Sequence, residues 1–204
     1  MENKMAIQKW RNLIHERFVA TKDTACNRRA IIKRTLIGLG LFVSIALIFH
    51  AIGLRWNEST SYPTGLYQLT GKSDYRRGEL ILFCPPDNPA LQMALERKYL
   101  RFGLCNGGFE PVIKRIVGIG GERVTFTDVI NINQQRLPNT HRLQQDGFNR
   151  PLPQLDNFTL PDNTFFVISD HKPTSSFDSR YYGAIPRGNI IGRIKPVLLL
   201  DDRK

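Results

Sequence analysis

Apolar residues fill positions 35–54 with no acidic or basic interruption, reading TLIGLGLFVSIALIFHAIGL, in which His50 is the one titratable group. A helix of this length rises about 30 Å, the thickness of a bilayer's hydrocarbon core. The pattern predicts a transmembrane helix over 35–54. A buried core helix is the alternative, and Lys33, Arg34 and Arg55 at the ends of the run argue against it. A cleaved signal peptide fits worse, because 34 residues precede the run and no clean small-x-small site follows it.

Beyond position 54 the pattern changes to short apolar runs punctuated by turn residues. Runs at 65–69, 79–83, 112–117, 123–126, 129–132, 164–168 and 190–199 read as strands, and Gly120-Gly121 reads as a hairpin connection between two of them. One segment has helical spacing instead. Asn88 caps it, Pro89 takes its first turn, Leu91, Leu95, Tyr99 and Phe102 form its stripe, and Gly103 stops it. Arg97, Lys98 and Arg101 near its end suit the helix dipole. The expected architecture is a mainly β domain of antiparallel strands over 55–204, behind a helix at 35–54 and a leading segment at 1–34. No internal repeat or low-complexity tract is present.

The 204 residues carry 29 Lys plus Arg and 18 Asp plus Glu, a net charge of +11. Position matters more than the total. Residues 1–34 hold nine basic and three acidic groups, a net of +6, whereas the 150 residues from Arg55 onward hold 20 and 15. The positive-inside rule therefore keeps the leading segment in the cytoplasm and exports the rest. Trp10, Leu13, Ile14 and Phe18 recur among these charges at helical spacing, which suits an amphipathic helix on the anionic inner leaflet as well as a solvated tail. Either way the basicity points to membrane phosphates, not to nucleic acid.

Three Cys without a CxxC pair and four scattered His without an HExxH give a metal site little to build on, so no metal and no cofactor are expected. Cys84 and Cys105 fall on the exported side, across the membrane from Cys26. In an oxidising compartment two such cysteines pair; two buried free thiols are the alternative. Closing that loop contributes roughly 3 kcal/mol on the chain-entropy model.

Three clusters carry candidate chemistry. The first is Asn57-Glu58-Ser59-Thr60-Ser61-Tyr62-Pro63-Thr64-Gly65-Leu66-Tyr67. Ser61 lies seven residues past Leu54, so even an extended connection of ~3.5 Å per residue keeps it within about 25 Å of the bilayer. Taken alone, Ser-x-Ser before Pro is a turn. The second cluster puts Lys114-Arg115 inside an apolar strand, where alternation sends them to opposite faces. One is then either a snorkelling cation or a desolvated amine able to take a proton from a hydroxyl. The third runs from Ser169-Asp170-His171 to Ser175-Ser176-Phe177-Asp178-Ser179-Arg180. Asp178 and Arg180 are spaced to pair across a turn. A Ser-His-Asp triad of Ser61, His171 and Asp170 or Asp178 can be assembled from these residues, but nothing in their spacing favours it.

In order and company these clusters resemble the S26 family of serine peptidases, the signal peptidases. That family's boxes run Ser-x-Ser near a Pro, then Lys-Arg-x-x-Gly-x-x-Gly, then Ser-x-Asp-Ser-Arg, behind an N-terminal anchor. The form Asn-x-Ser-x-Ser-x-Pro-x-Gly-x-Tyr, with Phe-Cys-Pro-Pro and Cys-Asn-Gly-Gly around the two cysteines, is similar to its conjugative-transfer branch, the TraF-type pilin peptidases. The resemblance covers most of residues 35–198. It implies Ser61 as nucleophile, Lys114 as general base, and Ser59 as a hydroxyl that helps the Ser61 N–H hold the oxyanion. It further implies Ser176 as the serine orienting the ammonium, with Asp178 and Arg180 as a supporting salt bridge. Two positions depart from the general signal peptidases. Their nucleophile stands one residue further from the Pro, so choosing Ser61 over Thr60 rests on the conjugative branch. Their Gly-Asp-Asn is here Ser169-Asp170-His171.

The resemblance implies a single-pass serine endopeptidase of the bacterial inner membrane with a periplasmic catalytic domain. Its partners would be a membrane-embedded pilin precursor and the membrane lipids. In that branch the acyl group can also pass to the substrate's own amino terminus, giving a cyclic pilin. Two rivals stand beside this reading: a general signal peptidase, and a non-enzymatic assembly factor of a secretion channel in which the Ser and Lys are structural.

Overall fold

The computed structural model describes residues 28, 31–59, 61–71 and 74–200. The amphipathic stripe of Trp10, Leu13, Ile14 and Phe18, and Cys26, lie outside the described residues. Two compact units divide the chain, Met1–Ala51 and Ile52–Lys204.

In the first unit, helix α1 spans Ile31–Ala51, 21 residues long and apolar enough to cross a membrane. It starts earlier and stops earlier than the apolar run suggests. The run continues through Leu54, but Gly53 adopts φ +80° and its carbonyl accepts the Leu69 N–H at 2.9 Å. That geometry turns the chain into a strand, so Leu54 pairs with Gln68 instead of closing a helix.

The second unit is built on a seven-stranded sheet. Its members are β1 (Leu54–Asn57), β2 (Gly65–Gly71), β3 (Leu80–Phe83), β4 (Val112–Ile119), β9 (Thr164–Ile168), β10 (Ile185–Pro186) and β11 (Ile190–Leu199). They lie in the order β1-β2-β11-β3-β4-β9-β10, every pair antiparallel. A smaller sheet orders β7 (Gln135–Arg136), β6 (Ile130–Ile132), β5 (Arg123–Phe126) and β8 (Phe158–Thr159). Gly120-Gly121 is not a hairpin connection as expected. The turn is there, with Gly121 at φ +86°, but β4 and β5 belong to different sheets and the turn carries the chain from one to the other.

Helix α2 (Pro89–Glu96) begins as expected, with the Asn88 side chain accepting the Leu91 N–H at 2.9 Å. It ends well before Gly103. Lys98 takes a left-handed φ of +61°, and the Tyr99 N–H returns to the Ala94 carbonyl at 2.8 Å. The stripe therefore breaks: Tyr99 packs on Phe177, while Phe102 is 80% exposed. The basic residues leave the helix dipole too, since Arg97 donates to the Pro151 carbonyl and Arg101 pairs with Glu58 and Glu110. Cys84 and Cys105 form a disulfide across this segment, with Cα atoms 5.5 Å apart. A four-residue helix, α3 (Ser179–Tyr182), follows the third sequence cluster.

Three apolar clusters make the core. One holds Ile81, Phe83, Leu91, Ile116, Val167 and Phe177 between the large sheet and helices α2 and α3. A second, around Val124, Ile132 and Phe166, lies beneath the small sheet. The third joins Tyr62, Tyr67, Leu82, Ile113 and Ile194. Because β4 contributes to all three, a side chain on it is fixed by close packing on either face.

Candidate active site

Strand register decides which of Lys114 and Arg115 goes inward. Lys114 stands opposite Ile81, on the face that carries Ile116, and is 2% exposed. Arg115 takes the other face, where it donates to Asp170 and to the Gly78 carbonyl at 2.6 Å. Burial, which disfavours the ammonium, pulls the Lys114 pKa from 10.5 to about 8; nearby Asp178 resists the fall and Arg180 assists it. In water about one lysine in 3,000 is neutral at pH 7; at a pKa of 8 it is about one in ten.

Ser61 sits in the loop between β1 and β2. Gly65 closes that loop, and only glycine serves there, because a Cβ at 65 would lie 2.3 Å from the Leu198 carbonyl oxygen. Ser59, Ser61, Lys114 and Ser176 line one cleft of about 490 Å³, with Leu82, Ile113, Leu152, Phe177 and Tyr181 among its apolar walls. The Ser61 N–H donates to Ser59 Oγ at 3.2 Å, so these two groups are neighbours in the cleft. Ser176 is buried, and its carbonyl accepts from Arg180 Nη2 at 3.1 Å.

Asp178 and Arg180 stand behind the cleft, 0% and 1% exposed. Their contact is two-pronged, Nε to Oδ1 at 2.7 Å and Nη2 to Oδ2 at 2.9 Å. Asp178 also caps α3 through the Arg180 N–H and accepts the Ser169 N–H, while Arg180 Nη1 reaches the His141 carbonyl at 2.8 Å. One buried pair thus holds the segment bearing Ser176 against the end of β9.

The Ser-His-Asp arrangement does not form. His171 is exposed and stacks on Tyr62, Asp170 is taken by Tyr62 and Arg115, and Asp178 by Arg180. Burial lifts the Asp170 carboxyl, but the bonds from Tyr62 and Arg115 outweigh it and hold the group below its ordinary value. Among the described residues no cluster of His, Cys, Asp and Glu could hold a metal ion. Asn57 and Ser169, to which the sequence assigns no role, bond the Ser61 loop directly. Both stand in the quoted clusters; their bonds go to main-chain atoms, which no residue spacing reveals.

A mainly β domain with a serine and a buried, easily neutralised lysine on one cleft has the makings of a serine peptidase. The family model for signal peptidase, peptidase S26, matches residues 28–199, and the chain belongs to that family. It is 34% identical over 169 residues to the Plasmid transfer protein TraF of Escherichia coli, covering 81% of this chain and 94% of that protein. It is 36% identical over 149 residues to the Probable conjugal transfer protein TraF of Sinorhizobium fredii (strain NBRC 101917 / NGR234), covering 72% and 77%. Over 124 residues it is 31% identical to Signal peptidase I of Leptolyngbya laminosa, covering 58% of this chain and 50% of that protein.

Proposed function

We propose that the protein is a membrane-anchored endopeptidase that processes a conjugative propilin through a Ser61–Lys114 dyad. The observation that carries the reading is Lys114, buried on the cleft that Ser61 lines, with its pKa drawn down to about 8. The neutral amine takes the Ser61 hydroxyl proton as the oxygen attacks the scissile carbonyl. Ser59 Oγ, which accepts the Ser61 N–H at 3.2 Å, rotates on attack so that both groups donate to the oxyanion. The resulting ammonium, oriented by Ser176, returns its proton to the leaving amine. An acyl-enzyme remains on Ser61, and water or the substrate's own amino terminus removes it. Asp178 and Arg180 support the segment that carries Ser176.

The substrate class follows the TraF relatives, which match most of the chain. The placement follows α1 and the +6 charge of residues 1–34: a single pass through the inner membrane, amino terminus cytoplasmic, catalytic domain periplasmic. Ser59→Ala is expected to lower turnover by about 100- to 1,000-fold, the effect of one lost oxyanion donor, with KM little changed. Steady-state kinetics on a peptide spanning the cleavage site checks this.

Co-expression with a candidate propilin and intact mass of the product tests the whole reading. Specific trimming is the expected result, and loss of one further water identifies ring closure. Trimming of unrelated exported precursors with the propilin untouched makes the protein a general signal peptidase. Absence of labelling at Ser61 by a serine-acylating inhibitor removes the enzyme altogether and leaves an assembly factor.

A further inference from the structure

A dyad works only if the serine is held at a fixed place relative to the amine, and residues 58, 59 and 61–63 belong to no strand that would hold it. Asn57, the last residue of β1, stands opposite Gly65 and is 9% exposed. Its side chain fills the loop from within. Nδ2 lies 3.2 Å from the Ser59 carbonyl, 3.2 Å from the Tyr62 carbonyl and 3.0 Å from the Pro63 carbonyl, and Oδ1 accepts the Ser59 N–H at 3.1 Å. One amide thus ties the main chain before Ser61 to the main chain after it.

A second anchor comes from outside the loop. Ser169 Oγ donates to the Ser61 carbonyl at 2.6 Å, and Ser169 is itself fully buried, its N–H held by Asp178 Oδ2 at 3.1 Å. Ser169 follows Ile168, which pairs with Arg115 on β4, next to Lys114. The Ser61 carbonyl is therefore fastened to the strand beside the one that carries the lysine.

We infer that Asn57 and Ser169 are positioning residues that set the Ser61 hydroxyl against Lys114, the first by shaping the loop and the second by tethering it to the sheet. The inference rests on the Ser61–Lys114 dyad. Neither side chain donates to or accepts from the reacting groups, so their loss should slow acylation while leaving substrate affinity and the lysine's titration in place. Misplacing a nucleophile by about 1 Å can cost about 100-fold. Asn57→Asp is the sharper variant, because it keeps the acceptor for the Ser59 N–H and turns an oxygen toward three carbonyl oxygens.

The test uses the full chain in detergent and an activated-ester probe that acylates serine. Site of labelling, acylation rate, half-saturating probe concentration, pH midpoint and melting temperature are read together. Asn57→Ala and Ser169→Ala should each acylate about 10-fold or more slowly, and Asn57→Asp about 100-fold more slowly. For the alanine variants the half-saturating concentration should stay within about twofold and the pH midpoint should not move. Variants that acylate like the unmodified chain, or whose loss follows their folded fraction alone, overturn the inference and leave the dyad standing. An unmodified chain that is not acylated at Ser61 removes the dyad and this inference together.

Discussion

Lys114→Ala should leave a folded protein whose peptide-bond cleavage has fallen by up to about 10⁴-fold, the upper range for losing a positioned general base. Ser61→Ala should fall at least as far, since no covalent path remains. The cleft supplies the reason. A serine hydroxyl gives up its proton only to a base that is free to accept it, and His171 stacks on Tyr62 at the surface instead of lining the cleft with Ser61. Lys114→Arg should be as inactive as alanine, because a guanidinium stays protonated throughout the working range. Rates of cleavage and of acylation at Ser61 check both variants. Lys114→Ala with full activity would sink the dyad.

On the proposed dyad, the same lysine should set the pH dependence. Cleavage should rise as the ammonium deprotonates, with a midpoint near the pKa of about 8, and level off above it. Stability should follow a different window. The folded pKa lies below the unfolded 10.5, so between about 8 and 10.5 the unfolded chain holds the extra proton and stability rises with pH. Below about 8 both states hold it, and the full cost of burying the ammonium falls on the fold. Activity and stability thus both gain on the alkaline side, in adjacent ranges, which a pH-rate profile and a pH series of melts separate.

The sequence reveals the fold wherever the signal for an element is local. The runs that became β2, β3, β4, β5, β9 and β11 are long enough to show their pattern unaided. Strand β1 is hidden because Leu54 simply extends the apolar run of α1, and the break depends on the pairing of Gly53 with Leu69 from the next strand. Helix α2 looks longer than it is because Tyr99 and Phe102 keep its spacing after Lys98 has already reversed the chain. Helix α3, at four residues, is too short for any periodicity. At the site, alternation separates Lys114 from Arg115 but cannot orient them; the register that sets Ile81 beside Lys114 does. Asn57 and Ser169 act on carbonyls that converge only when the loop closes.

Asp178→Ala should be the most destabilising single change around the site, at about 3–5 kcal/mol, the usual effect of stripping one partner from a buried ion pair. At roughly 2–4 °C per kcal/mol for a domain of this size, the melting temperature should drop by about 6–20 °C. Three losses coincide. Arg180, 1% exposed, keeps its charge with no counter-ion, the Ser169 N–H loses its acceptor, and α3 loses its cap. By contrast, Asp128→Ala at the open pair with Arg136 should leave the melting temperature nearly unchanged, because both partners face solvent. Asp178 also opposes the fall in the Lys114 pKa, whereas Arg180 promotes it. The folded remainder of Asp178→Ala should therefore show its pH-rate midpoint displaced to lower pH. Circular-dichroism melts and a pH-rate profile on the same sample measure the two effects separately. An unchanged melt would mean that the pair does not hold the corner behind the cleft, and an unchanged midpoint would mean that its field does not reach the lysine.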